Sequence, residues 1–382
     1  MECKKLFDCI DELYEEYLQL WATVCNMESP TMNKELIDKL GNFFIDMAKQ
    51  KGWETEVFES TTGNVVCLTM NANADKAPIT FSAHMDTVHP VGSFGSPAVT
   101  MDEKNIYGPG VTDCKGGLVA ALYAMDALQK CGFKDRPVRL LLQSDEEAGG
   151  RPLNKLTIGY ICEKAKDSLA FFNLEGGMKD GACVERKGIA TYQMKITGIE
   201  AHSSLCAVSG ANAIAEAAYK IIELEKIKDH DGITCNCGII SGGTTHNTVP
   251  GYCEVRVSFR FVNAQQREEI ALLMQKLADT VYVEGCKTEI EEFGGRPAME
   301  RVQRNLDLLD TVNEIFTKNG LSALKPFACR GGSDAAQVTV AGIPCLDDLG
   351  VIGGEVHSPD EYAEKESLRE SAKRLASIVY CI

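Results

Sequence analysis

Apolar side chains open the chain at helical spacing: Leu6, Ile10, Leu13, Tyr17 and Leu20. Ser29-Pro30-Thr31 breaks the run. A second helical stretch over 33–50 sets Leu36, Leu40, Phe43 and Met47 on one side. Strands are expected at 54–58, at 64–70 and at 78–83, the last ending in His84. Residues 116–130 form an apolar helix pattern, and the run VRLLLQ over 138–143 reads as a buried strand leading into Ser144-Asp145-Glu146-Glu147. A further strand over 168–174 ends at Glu175. Strands alternating with helices predict an α/β domain built on a largely parallel, helix-covered sheet. In such sheets functional side chains gather beyond the carboxyl ends of the strands. His84, Glu146, Glu147 and Glu175 all fall there.

The texture changes after Gly176-Gly177. Residues 183–198 alternate like a half-exposed strand, 210–226 read as a helix, and 232–241 with 251–261 as antiparallel strands. A helix over 265–280 and a strand over 287–292 complete an α+β insert of about one hundred residues, an ordinary domain size. From about Arg296 the pattern returns to helix, glycine-rich loop and short strand. The expected division is one discontinuous domain of residues 1–181 and 295–382, with an inserted domain of residues 182–294.

The formal net charge of −16 argues against nucleic acid and anionic membranes as partners, since both require basic patches. The 16 cysteines are scattered, and the one close pair, Cys235 and Cys237, lacks the C-x-x-C spacing of zinc knuckles and redox loops. The opening residues are acidic and amphipathic, unlike a secretory leader. Reduced thiols in a cytoplasm are the expectation.

Five short motifs carry chemistry. In His84-Met85-Asp86, residues two apart on an extended strand end share a face, so Asp86 is placed to orient the His84 ring. Gly108-Pro109-Gly110-Val111-Thr112-Asp113 fails as a dinucleotide loop, because Asp113 stands where a third glycine belongs. It holds a carboxylate at a glycine turn before a helix, which suits either an N-cap or a bridge between two cations. Asp145-Glu146-Glu147 offers adjacent carboxylates for two jobs, metal ligation and proton transfer. Asn173-Leu174-Glu175-Gly176 and His357-Ser358-Pro359-Asp360-Glu361 supply another carboxylate and a second histidine. Taken singly, an acidic loop or a structural histidine explains each motif as well as a metal does. No G-x-S-x-G elbow and no H-E-x-x-H helix occurs.

The stretches SAHMDTVHP, GPGVTDCKGG, SDEEAGG, NLEGG, GIEAHSS, GGTTHNTVPG, RGGSDAA and HSPDEY occur in the order found in metallopeptidase family 20, and the chain resembles that family from residue 82 to 362. The family includes glutamate carboxypeptidase, aminoacylase, acetylornithine deacetylase, succinyl-diaminopimelate desuccinylase and peptidase T. The resemblance implies a two-domain di-zinc exopeptidase fold. A mixed, mainly parallel sheet carries helices on both faces, and the insert is a lid and dimerisation domain. It implies two zinc ions, with cobalt or manganese as possible occupants of the same ligands. The ligands are His84, Asp113, Glu147, Glu175 and His357, with Asp113 bridging, and the Asp113–Cys114 peptide is cis. Glu146 would be the general base and Asp86 the partner of His84. His202 would reach into the cleft of a partner subunit in a homodimer. Asn247 and Arg260 would bind the substrate carboxylate, and Gly332 and Ser333 would form a substrate-contacting loop. Glu175 and the stretch 331–361 look most like glutamate carboxypeptidase, whereas Arg330 resembles peptidase T. The implied activity is hydrolysis of the amide bond next to a free C-terminal carboxylate in a small peptide or N-acyl amino acid. A deacylase, an aminopeptidase and a binding module that has lost its chemistry are the alternatives. His89 is expected to be structural and His230 solvated; His246, beside Asn247, reads as an ordinary loop residue, with a substrate contact as the lesser alternative.

Overall fold

The computed structural model describes residues 3–149 and 154–382, so the last glycine of the Asp145–Gly150 stretch lies outside the described residues. Its centre is a six-stranded sheet. In chain order the strands are β1 (Glu54–Phe58), β2 (Val65–Met70), β3 (Ile79–His84), β4 (Val138–Gln143), β5 (Ala170–Asn173) and a last short strand, Cys345–Leu346. Across the sheet the order is β1-β2-β4-β3-β5 and then Cys345–Leu346. The first two pairings are antiparallel and the rest parallel. The parallel strands are buried along nearly their whole length because both faces are covered. Alternation sorts their side chains: Val66, Leu68, Leu140 and Leu142 join the larger core, while Val65, Cys67, Leu141 and Phe171 join the smaller one on the other face.

The larger core is built with helices α1 (Lys4–Glu12), α2 (Tyr14–Asn26), α3 (Lys34–Gln50) and α4 (Lys115–Lys130). The opening helical pattern is two helices meeting at Leu13, whose backbone stays in the right-handed region, so the apolar period runs on unbroken. In α3, capped by Asn33, the deepest residues are Ile37, Leu40, Phe44, Ile45 and Ala48. The expected Phe43 and Met47 are only partly buried at the edge of this face. Helix α4 is buried through almost its whole length, which explains its unrelieved apolar pattern.

The stretch 183–198, expected as one strand, is two. Strand β6 (Gly181–Arg186) pairs in parallel with Lys325–Cys329, and β7 (Gly188–Thr197) enters a different sheet. That second sheet is antiparallel, in the order β8-β9-β7-β10, with β8 at Thr234–Gly242, β9 at Tyr252–Phe261 and β10 at Lys287–Arg296. Helices α5 (Ala213–Leu224) and α6 (Ala264–Asp279) cover one of its faces, and Met194, Ala217, Val257, Phe259, Ile270 and Met274 form its separate core. No helix among the described residues is long and apolar enough to cross a membrane.

Candidate active site

Three parallel strands end side by side and deliver the first ligands. His84 is the last residue of β3, in register with Gln143 at the end of β4, and Glu175 follows β5 by two residues. Asp113 arrives just ahead of α4, through a cis Asp113–Cys114 peptide. Helix α4 lies close enough to the end of β5 that a Cβ on Gly117 would sit 2.0 Å from the Leu174 carbonyl oxygen. Only glycine permits this approach, and it sets Asp113 beside Glu175.

The donor atoms converge and divide in two. His84 Nε2 lies 2.9 Å from Asp113 Oδ1 and 3.6 Å from Glu175 Oε2. His357 Nε2 lies 3.1 Å from Asp113 Oδ2 and 3.2 Å from Glu147 Oε1. Each oxygen of Asp113 thus faces a different histidine, and each histidine a different glutamate, while donor atoms of His84, Asp113 and Glu147 also lie within 4.8 Å of one another. His357 sits in the left-handed region at φ 64°, a sparsely populated conformation for a residue bearing a Cβ, so the turn over-determines its place. Two imidazoles and three carboxylates are a donor set suited to zinc and related divalent ions.

The protonation pattern shows how much positive charge the cluster calls for. The His357 ring, hydrogen-bonded to Asp113 and Glu147, is raised to about 10. Burial opposes a charge on His84, yet Cys114, Glu175 and the hydrogen bonds to Asp113 and Asp86 outweigh it and hold its pKa well above the ordinary value. Burial raises Glu147, and it raises Glu175 strongly, while the histidine contacts pull both back. For Asp113 the hydrogen bonds from His357 and His84 overcome burial and lower its pKa. A cation held among these groups would supply that positive charge in place of the imidazolium protons.

Asp86 does more than orient one ring. His84 Nδ1 is 2.8 Å from the Asp86 carbonyl oxygen and 3.4 Å from its carboxylate. Both carboxylate oxygens also accept from the next loop, from Glu146 N and Glu147 N at 3.1 Å each. The Glu146–Ala148 turn is thereby hung from the β3 end. Asp145, the other acid of that motif, is buried and accepts from Thr62, Asn154 and Thr157, a purely structural use.

Glu146 is buried and faces a partner that the sequence reading passed over. Arg296, the last residue of β10, donates to both the carboxylate and the carbonyl oxygen of Glu146. Arg296, Ile189 and Arg260 are register partners across β10, β7 and β9, so their side chains share one face. Arg260 has a buried Nη1 that finds no hydrogen-bond partner among the described residues, and burial beside Arg296 lowers its pKa. The signal for Arg296 was slight: an arginine closing a glycine-ended strand at the domain junction.

The cluster opens into a cleft of about 430 Å³ whose walls include Glu146, Met178, Arg186, Gly331, Gly332 and Val356. Gly332 lines it, but Ser333 does not. Ser333 is 1% exposed and its hydroxyl donates to Asp347, so it steadies the loop from behind. Arg186, also missed, binds Asp347 and Asp348 and donates to the Gly331 carbonyl, tying β6 to the cleft wall. Cys114 is a further unpredicted neighbour: its sulfur accepts from His84 N, and donor atoms of His84, Cys114 and Glu175 lie within 4.8 Å of one another.

His202 and Asn247 stay outside this cleft. His202 is exposed on the strand Ala201–His202, which pairs with Thr248–Val249, and its Nδ1 meets Ser204 Oγ at 2.8 Å. Asn247 is exposed beside it, its carbonyl accepting from Ser203 N at 2.9 Å. His246 is exposed as well. His230 is exposed, as expected, and its ring meets the Arg330 guanidinium. His89 is buried against Glu361 at 2.9 Å.

The sequence pattern of Peptidase family M20/M25/M40 matches residues 80–380, and the chain belongs to that family. It is a hydrolytic enzyme of a metallopeptidase family that uses a divalent metal. Carboxypeptidase G2 of Pseudomonas sp. (strain RS-16) is 24% identical over 360 residues, covering 92% of this chain and 86% of the relative. Acetylornithine deacetylase of Myxococcus xanthus is 26% identical over 336 residues, covering 83% of each. Among solved structures, a tripeptidase from Staphylococcus aureus superimposes with a TM-score of 0.79 at 20% identity, over 96% of this chain and 97% of that one. The fold is the family's two-domain peptidase architecture.

Proposed function

We propose that the protein is a di-zinc carboxypeptidase that releases a C-terminal residue, glutamate being the favoured one, from a small peptide or N-acyl amino acid in the cytoplasm. The observation that carries this reading is the placing of one histidine at each oxygen of Asp113, each with its own glutamate, and a buried Glu146 alongside. His84, Glu175 and Asp113 would hold one ion, and His357, Glu147 and Asp113 the other. Zinc, or manganese or cobalt in its place, supplies Lewis acidity and a water of lowered pKa.

The protein's own groups do the rest. Arg260, with its partnerless buried nitrogen, offers a bidentate fork to the substrate's free carboxylate. Gly332 leaves room for the substrate at the cleft wall. Glu146 takes the proton of the attacking water and hands it to the leaving amine. Arg296 holds the Glu146 carboxylate in place until substrate arrives. His202 and Asn247 act in the partner subunit's cleft: His202 stabilises the oxyanion and Asn247 the substrate carboxylate. Residues 182–294 then serve as lid and dimer contact, and residues 1–181 with 295–382 as the catalytic body.

A screen of N-acyl amino acids, dipeptides and tripeptides at defined zinc levels tests the reading. Release of the C-terminal residue is expected. Hydrolysis of N-acyl amino acids with peptides left intact would replace it with the deacylase reading, and cleavage of tripeptides at the N-terminal bond with an aminopeptidase. Glu146→Gln is expected to lower kcat by about 10²–10⁴-fold, the usual share of a general base, with zinc content unchanged. Full activity of that variant would remove Glu146 from the role, and no hydrolysis by the zinc-loaded parent would leave a binding module.

A further inference from the structure

Glu361 is a buried acid that no step above uses. It is 1% exposed, yet its carboxylate is fully engaged. Oε1 accepts from Thr112 N at 2.9 Å and Asp113 N at 3.0 Å, and Oε2 accepts from Gly110 N at 3.2 Å. Oε2 also lies 2.9 Å from His89 Nε2. Two more bonds reinforce the seam: Gly108 N to the Glu361 carbonyl at 3.3 Å, and Thr112 Oγ1 to the Tyr362 carbonyl at 2.6 Å. The glycine loop 108–113 is therefore a nest of backbone N–H groups closed around an anion. Gly110 takes φ 74°, open to glycine without strain, and so turns its N–H inward. The anion it holds is the protein's own.

We infer that Glu361 is the positioning residue of the metal centre: one carboxylate locks together the three chain segments that present His84, Asp113 and His357. His89 is five residues past His84, the nest ends on Asp113 itself, and Glu361 follows His357 by four residues. The charge matters as well as the shape. A carboxylate accepts at both oxygens, whereas an amide would turn an NH₂ towards Gly110 N and His89. Loss of the anchor leaves three buried N–H groups unpaired, and the loop must move to rewet them. Since Asp113 faces both half-sites, both metal affinities should weaken together. This inference rests on the proposed metal centre.

The test is a zinc titration of metal-free protein against a chromophoric chelator, comparing the parent with Glu361→Gln. Affinity at both sites is expected to fall by about 10–100-fold, the usual cost of removing a group that orients a ligand. Excess zinc should restore hydrolysis, which simple loss of folded protein would not allow. The metal-free variant's thermal unfolding checks its folding. If it does not fold, His89→Gln, which leaves the three amide bonds in place, carries the test with an expected severalfold loss of affinity. Parent-like affinity in whichever folded variant is measured overturns the inference while leaving the metallohydrolase reading intact. Failure of the parent itself to bind zinc overturns both.

Discussion

At the scale of single residues the site is governed by burial of charge. Asp334 lies two residues beyond Gly332, is 2% exposed, and has one carboxylate oxygen with no hydrogen-bond partner among the described residues. Burial drives its pKa to about 7; Arg296 opposes the rise and Glu146 adds to it. The folded protein therefore keeps a proton that the unfolded chain gives up near pH ~4. Because the folded value is the raised one, its stabilising contribution is complete below that pH and drains away as pH climbs through about 7. Asp334→Asn should flatten the dependence of the unfolding midpoint on pH across this window. Parallel curves for variant and parent would refute the assignment. The same logic of burial explains which site residues were legible. His84, Glu147 and Glu175 stand at strand ends, where apolar patterning marks them. Arg296, Arg186 and Glu361 act through partners 145 or more residues away, and no local pattern marks those pairings.

At the scale of elements, close backbone approach positions the ligands. Helix α4 can begin where it does because Gly117 has no side chain, and a Cβ there would meet the Leu174 carbonyl oxygen at 2.0 Å. Gly117→Ala should destabilise the protein by about 1–3 kcal/mol through overpacking. It should also weaken metal binding, because Asp113 and Glu175 are spread apart. Thermal unfolding and zinc titration measure the two effects; an unchanged unfolding midpoint would show that the contact yields freely. Most elements were readable to within a few residues, β1 and β4 at both ends. The failures have one cause. Helices α1 and α2 share an unbroken apolar period, and β6 and β7 share an unbroken alternation across Lys187. Periodicity reports which face is buried; it does not report where the chain changes partner.

At the scale of the whole molecule, the second sheet carries an apolar surface that a dimer would cover. Its edge strand β8 exposes Ile239 and Ile240, and α5 exposes Ile214, Tyr219 and Ile222 beside it. An open, apolar edge invites pairing. Ile222→Glu combined with Ile240→Lys should yield monomers in sedimentation, with zinc retained and turnover reduced at least tenfold. Fully active monomers would exclude a shared site. Mixing Glu146→Gln with His202→Ala tests the sharing directly. Random reassociation through a two-fold interface should restore about a quarter of parent turnover, since each hybrid keeps one intact site. Restoration no greater than the sum of the two variants would count against it.

The sequence by itself determined the layered α/β body, the strand ends that carry His84, Glu147 and Glu175, the antiparallel insert and, through the ordered motifs, the family. These are local matters: period, turn chemistry and motif order are written along the chain. Only the tertiary structure decided that Asp113 turns one oxygen to each histidine, that Asp86 suspends the Glu146–Glu147 turn, that Arg296 covers Glu146 and that Glu361 closes the glycine nest. Each is a contact between segments far apart in sequence. The energy of such a contact depends on burial and on the direction of single polar atoms, and these exist only once the chain has packed.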